Sequence, residues 1–248
     1  ALGVSANAPS NNGFEATQQE GAKRLREAVR NGESVKEAAG QYVAMMKQLV
    51  KKKLSKAEQN DHLTPEGQKA LAVTEGLETD IKEEWDTLTQ NILGGMTAGV
   101  ALAQFKQTVL ELMSGAMSEA WLIGQGSNNQ EQVEEALIAQ EDYLNKFIEE
   151  LVESLGVAPD DETKGGILLG NLARIVLYAG SVWALYNAAK LFKAPLEALY
   201  EFRGPLDKKT CPGCADEVRR GPRPAKEIRT PGSLDCLGNC RHEIIRVK

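Results

Sequence analysis

The sequence predicts a mainly α protein: an elongated multi-helix body that ends in a small cysteine-rich module containing a short β-ribbon. Three observations carry that expectation. Apolar residues recur at helical spacing through residues 14–193. Serine, threonine and proline capping signals punctuate the same stretch. All four cysteines fall in the last 38 residues, where helical periodicity stops and Pro and Gly accumulate. The expected division is an N-terminal arm at 1–13, a helical body at 14–160 and a module at 161–248, with its cysteine knuckle at 195–248.

Ala1 to Gly13 is small and polar, without the basic and apolar regions of a secretion signal, and reads as a mobile arm. Ser34 and Glu37 form a capping box, in which the hydroxyl accepts from the third backbone N–H and the glutamate reaches back. The helix it opens places Val35, Ala39, Tyr42, Val43 and Met46 on one face. Ser55 and Glu58 repeat the pattern. Thr64-Pro65 sets a cap residue before a proline at the first helical position, and predicts a helix to about Leu93, where Gly94-Gly95 breaks it. Residues 97–123 are apolar, and their small side chains (Ala98, Gly99, Ala101, Ala103, Gly115, Ala116) suit close helix packing.

Gly124 to Asn129 reads as a turn and cap. Val133, Leu137, Leu144, Ile148, Leu151 and Leu155 then form the clearest amphipathic stripe, opposite a solvated face of Glu134, Glu135, Glu141, Asp142, Glu149 and Glu150. Gly156 to Gly166 reads as a loop, followed by one apolar helix from Ile167 to Phe192. Its uncharged core, Ile175 to Ala189, falls short of the ~20 residues that span a bilayer, so it is read as buried and no membrane partner is expected. Ala198 to Arg203 alternates like a short strand, with Glu243 to Val247 as its antiparallel partner.

Hydrophobic residues make up 42% of the 248, but aromatic ones only 5%, so the core must come mainly from Ala, Leu, Val and Ile. The net charge of −6 is uneven. Residues 203–248 carry 11 Lys and Arg against 6 Asp and Glu (+5), leaving 18 against 29 (−11) for residues 1–202. Arg219, Arg220, Arg223, Lys226 and Arg229, in what reads as a Pro/Gly-rich loop, could face phosphates or an acidic protein surface, or be solvated surface.

The cysteines carry the chemistry. Cys211 and Cys214 form a C-x-x-C knuckle, and Cys236 and Cys240 a C-x-x-x-C followed by Arg241-His242. Two such pairs can close a tetrahedral zinc site, and a zinc ion would substitute for the hydrophobic core so short a module lacks. The expected ligands are Cys211, Cys214, Cys236 and Cys240, with His242 as the substitute ligand, because two donors only two residues apart ask for an awkward backbone. Disulfides and reduced thiols are the alternatives. Catalysis is not expected: the histidines are His62, in a polar linker, and His242, and no phosphate loop, nucleophile elbow or H-E-x-x-H is present.

The run from Asn171 to Ile244 resembles the phage head-morphogenesis domain of the Mu F-like minor head proteins. The matching residues are Leu172-Ala173-Arg174 through Tyr186-Asn187-Ala188, then Arg203-Gly204, Asp207 and Thr210-Cys211-Pro212-Gly213-Cys214, then Pro231-Gly232 and Cys236-Leu237-Gly238-Asn239-Cys240-Arg241-His242. His242 stands where the family pattern ends in a cysteine, and Ile175-Val176 replaces a frequent Thr-Glu pair. The resemblance implies a structural virion protein, assembled in the bacterial host cytoplasm and sited in the head near the portal. Its implied partners are portal or major capsid protein and packaged double-stranded DNA, with no small-molecule substrate. A nucleic-acid-binding zinc-ribbon protein and a membrane-active ejection protein are the competing expectations.

Overall fold

The computed structural model describes residues 62–207, 210–231 and 240–247. The capping boxes at Ser34 and Ser55, and the helices they predict, lie outside the described residues, as does the arm.

Within them, five helices form the body: α1 (Pro65–Leu93), α2 (Ala98–Gln125), α3 (Gln130–Gly156), α4 (Asp161–Val176) and α5 (Gly180–Leu191). The cap signals act as predicted. Thr64 Oγ1 accepts from the Gly67 N–H at 3.0 Å, with Pro65 opening α1, and Asn129 caps α3. Helix α2 packs against α1, α3 and α5, and α1 against α4 and α5. The buried stripe of α3 (Val133, Leu144, Phe147, Leu151, Leu155) keeps the predicted face, and Glu134, Glu135, Asp142, Glu149 and Glu150 are exposed.

Three expectations for the helical body needed correction. The loop at 156–166 shrinks, because Asp160 accepts from the Thr163 N–H at 2.8 Å and starts α4 at Asp161, so Gly165 and Gly166 are helical. The single helix from 167 to 192 is interrupted by a 3-10 turn at Leu177–Ala179. Gly99 and Gly115 face open space, and the close helix approach is made by Gly124, where a Cβ would stand 2.6 Å from the Tyr186 carbonyl oxygen. The stretch Asp161–Leu191 is long and apolar enough to cross a membrane. Its Ile175, Val182, Trp183, Tyr186 and Ala189 are nonetheless buried inside the protein.

The module adds β1 (Leu199–Arg203), α6 (Pro212–Arg219), β2 (Arg223–Pro224) and β3 (Glu243–Arg246). The predicted antiparallel pair forms, with Phe202 opposite Ile244. A third strand joins it, giving the order β2-β1-β3. A helix also forms where sequence periodicity indicated none. One apolar core runs from Leu77 and Trp85 through Trp121 and Tyr186 to Tyr200, Phe202, Ile244, Cys214 and Cys240. It crosses residue 160 without a break, so the helices after that position belong to the same core as those before it.

Candidate metal centre

The C-x-x-C segment is a helix start. Cys211 is the N-cap of α6 and its sulfur accepts from the Cys214 N–H at 3.4 Å, with Pro212 at the first helical position. Cys214 is thereby turned inward and buried. Residues 240–242 lead directly into β3, which begins at Glu243. Cys240 and His242, two residues apart, are both buried. Arg241, between them, turns outward to a two-pronged pair with Asp207 at 2.9 and 2.6 Å. The i, i+2 spacing that looked awkward for one ion thus brings both donor atoms into the same buried corner.

The Sγ atoms of Cys214 and Cys240 are 3.6 Å apart, and Cys240 Sγ is 3.7 Å from His242 Nδ1. The three donors all lie within 4.8 Å of one another. A disulfide would require about 2.05 Å between sulfurs. A tetrahedral ion with metal–sulfur bonds of about 2.3 Å and metal–nitrogen bonds of about 2.0 Å sets sulfurs about 3.8 Å apart and sulfur about 3.5 Å from nitrogen. The three side chains can hold a metal ion on that geometry. The Arg241 guanidinium is kept firmly charged, chiefly by its hydrogen bonds to Asp207.

The residues that follow fasten this corner to the body. His62 Nε2–H donates to the Arg241 carbonyl at 2.7 Å. Trp183 Nε1–H donates to the His242 carbonyl at 3.0 Å, and the Ile244 N–H donates to Asn187 Oδ1 at 2.8 Å. Between them the Glu243 carboxylate, fully buried, accepts from the Thr64 N–H (2.8 Å), Thr64 Oγ1 (2.6 Å), Tyr186 (2.6 Å) and Lys190 (2.6 Å). Burial alone would raise its pKa. The bonds from Lys190, Thr64 and Tyr186 outweigh that and hold it below the ordinary glutamate value. The same burial and the facing carboxylate push the Tyr186 phenol up. Any side chain at Gly67 would collide with this carboxylate, since a Cβ there would stand 2.5 Å from it.

Of the predicted ligands, Cys214 and Cys240 come together, and His242 joins them as a full member of the cluster. Cys211 is half-buried at the cap and is not among the three clustered donors; Cys236 lies outside the described residues. The basic residues do not form one loop. Arg223 is buried in β2, where its guanidinium pairs with the buried Glu217 and donates to the Gly221 carbonyl at 2.8 Å and the Glu227 carbonyl at 3.0 Å, so it is withdrawn from any phosphate. Arg229 and Arg220 also reach Glu217, at 2.7 and 3.4 Å, from exposed positions. Arg219 and Lys226 stand outside that set, Arg219 3.5 Å from Asp216. Sequence reasoning missed Glu217, Glu243 and Gly204. Lone acids and a glycine carry no periodic signal, although Gly204 stood inside the family motif. No protein-family model, no curated protein and no solved structure matches the chain.

Proposed function

We propose that the chain is a structural minor head protein of a tailed phage, acting in head assembly, genome packaging or delivery near the portal, and that zinc closes its C-terminal corner. One observation carries the reading. Several residues on which the family resemblance rests build the donor cluster and its attachment: Asn187 on Ile244, Asp207 on Arg241, Thr210 on the Pro205 carbonyl at 2.7 Å, and Cys214, Cys240 and His242 at the cluster. A motif whose members are spent on mutual bonding fits a scaffold role better than catalysis. Thiolate and imidazole donors favour zinc among the common divalent ions.

The experiment is fractionation of phage-infected cells. The chain should sediment with assembled heads and crosslink to portal or capsid protein; its absence from purified heads sinks the reading. The DNA alternative draws support from the exposed Arg219, Arg220, Lys226 and Arg229. Reversing the charge at Arg219 and Lys226 separates partners: normal incorporation with impaired packaging or delivery points to DNA, and lost incorporation to an acidic protein surface.

A further inference from the structure

Resting on the zinc reading above, we propose that His242 is itself a metal ligand through Nδ1, beside the thiolates of Cys214 and Cys240, and that Gly204 is the residue that lets its imidazole take that position.

The ring is held on three sides. Nε2 lies 3.1 Å from the Pro205 carbonyl oxygen. A carbonyl only accepts, so Nε2 carries the hydrogen. In the neutral ring that leaves the lone pair on Nδ1, the atom 3.7 Å from Cys240 Sγ. A ligating imidazole ordinarily donates its other N–H to a carbonyl or carboxylate, which fixes both tautomer and ring plane. The Phe202 ring stacks on the imidazole at 5.1 Å between centroids and 28° between planes. On Gly204, a Cβ would stand 2.2 Å from the imidazole Cδ2. Only hydrogen fits there. Thr210 donates to the same Pro205 carbonyl that receives Nε2, which steadies the acceptor. Both sulfurs and the imidazole are buried, so the donor atoms converge on one point shielded from water. The chain thus arrives at a mixed sulfur–nitrogen site, and not at the four-cysteine set expected from spacing.

The test uses the full chain, purified under reduction and titrated with zinc or cobalt(II). Zinc-edge X-ray absorption should show a nitrogen shell near 2.0 Å with imidazole scattering beside sulfurs near 2.3 Å, both about the usual values. An all-sulfur shell overturns this inference and leaves the zinc reading standing. Failure to bind either metal overturns both. His242→Ala should weaken zinc binding by more than the ~10–100-fold that loss of an outer hydrogen-bond partner costs; a smaller loss places His242 outside the coordination shell. Should His242→Ala fail to fold, His242→Cys serves, and it should bind zinc with the imidazole signature gone. Gly204→Ala touches no donor atom. It should weaken zinc binding at least about 10-fold in the wild-type chain and much less in the His242→Cys background. Equal losses in both backgrounds overturn the role given to Gly204.

Discussion

The helical body and the C-terminal corner hold together by different means. The core of the body is apolar and aromatic: Trp85 meets Phe105 edge-on at 5.3 Å, and Trp121 meets Phe192 at 5.1 Å. The indole N–H groups of Trp85 and Trp121 are buried without a partner among the described residues. The corner buries charge instead. Glu243 and Glu217 are both fully buried and each gathers several donors. Nondirectional burial tolerates an orphaned N–H as a local cost of about 1–3 kcal/mol. A buried carboxylate tolerates nothing of the kind, so the corner has to be exact in its bonding where the body need only be apolar and well filled.

Removal of two of the clustered donors tests that contrast hardest. If zinc is held there as proposed, amide exchange across β1, α6 and β3 should rise towards unfolded rates in the double variant Cys214→Ser, Cys240→Ser, because structural zinc contributes on the order of 10 kcal/mol in small domains. If α2 and α3 keep their protection, the two regions are energetically separable. If they lose it together, the continuous core makes them one cooperative unit and the comparison fails.

Glu243→Ala comes next. It strands the half-buried Lys190 and leaves Tyr186 without its acceptor, and should cost about 3–5 kcal/mol in chemical denaturation. Glu141→Ala, which removes the surface partner of Lys106 on the body, should cost no more than about 1 kcal/mol. The acid dependence follows from the lowered pKa of Glu243. The folded state binds fewer protons there than the unfolded chain. Its contribution is therefore present above the ordinary glutamate value of about 4.3 and is lost as pH falls through the lower folded value. Denaturation midpoints between pH 6 and 3 should fall more steeply for the wild type than for Glu243→Gln; equal slopes would remove Glu243 from the account.

A smaller effect separates two tryptophans. Trp183→Phe leaves the buried His242 carbonyl without its indole donor, whereas Trp85→Phe removes an N–H that had none. Both lose ring volume. The excess cost of Trp183→Phe should be about 1–3 kcal/mol. Smallest of all, Arg219→Glu and Lys226→Glu should shift stability by no more than about 0.5 kcal/mol, since both side chains are exposed.

The sequence by itself determined the first three helices of the body, because periodicity and caps are local. Thr64-Pro65, Asn129 and the stripe from Val133 to Leu155 could be read within a few turns of chain. The pairing of β1 with β3 was legible from alternation and from the ends of the motif. Tertiary structure alone decided the rest. Whether Arg223 faces solvent depended on a buried Glu217 six residues earlier. Which donors cluster in the corner depended on where the chain ahead of β3 sets Cys240 and His242, and on a glycine at 204 that admits a ring from 38 residues away. Those are contacts between segments whose partners no spacing rule links. A carboxylate, a glycine or an imidazole acquires its role from what the fold sets opposite it.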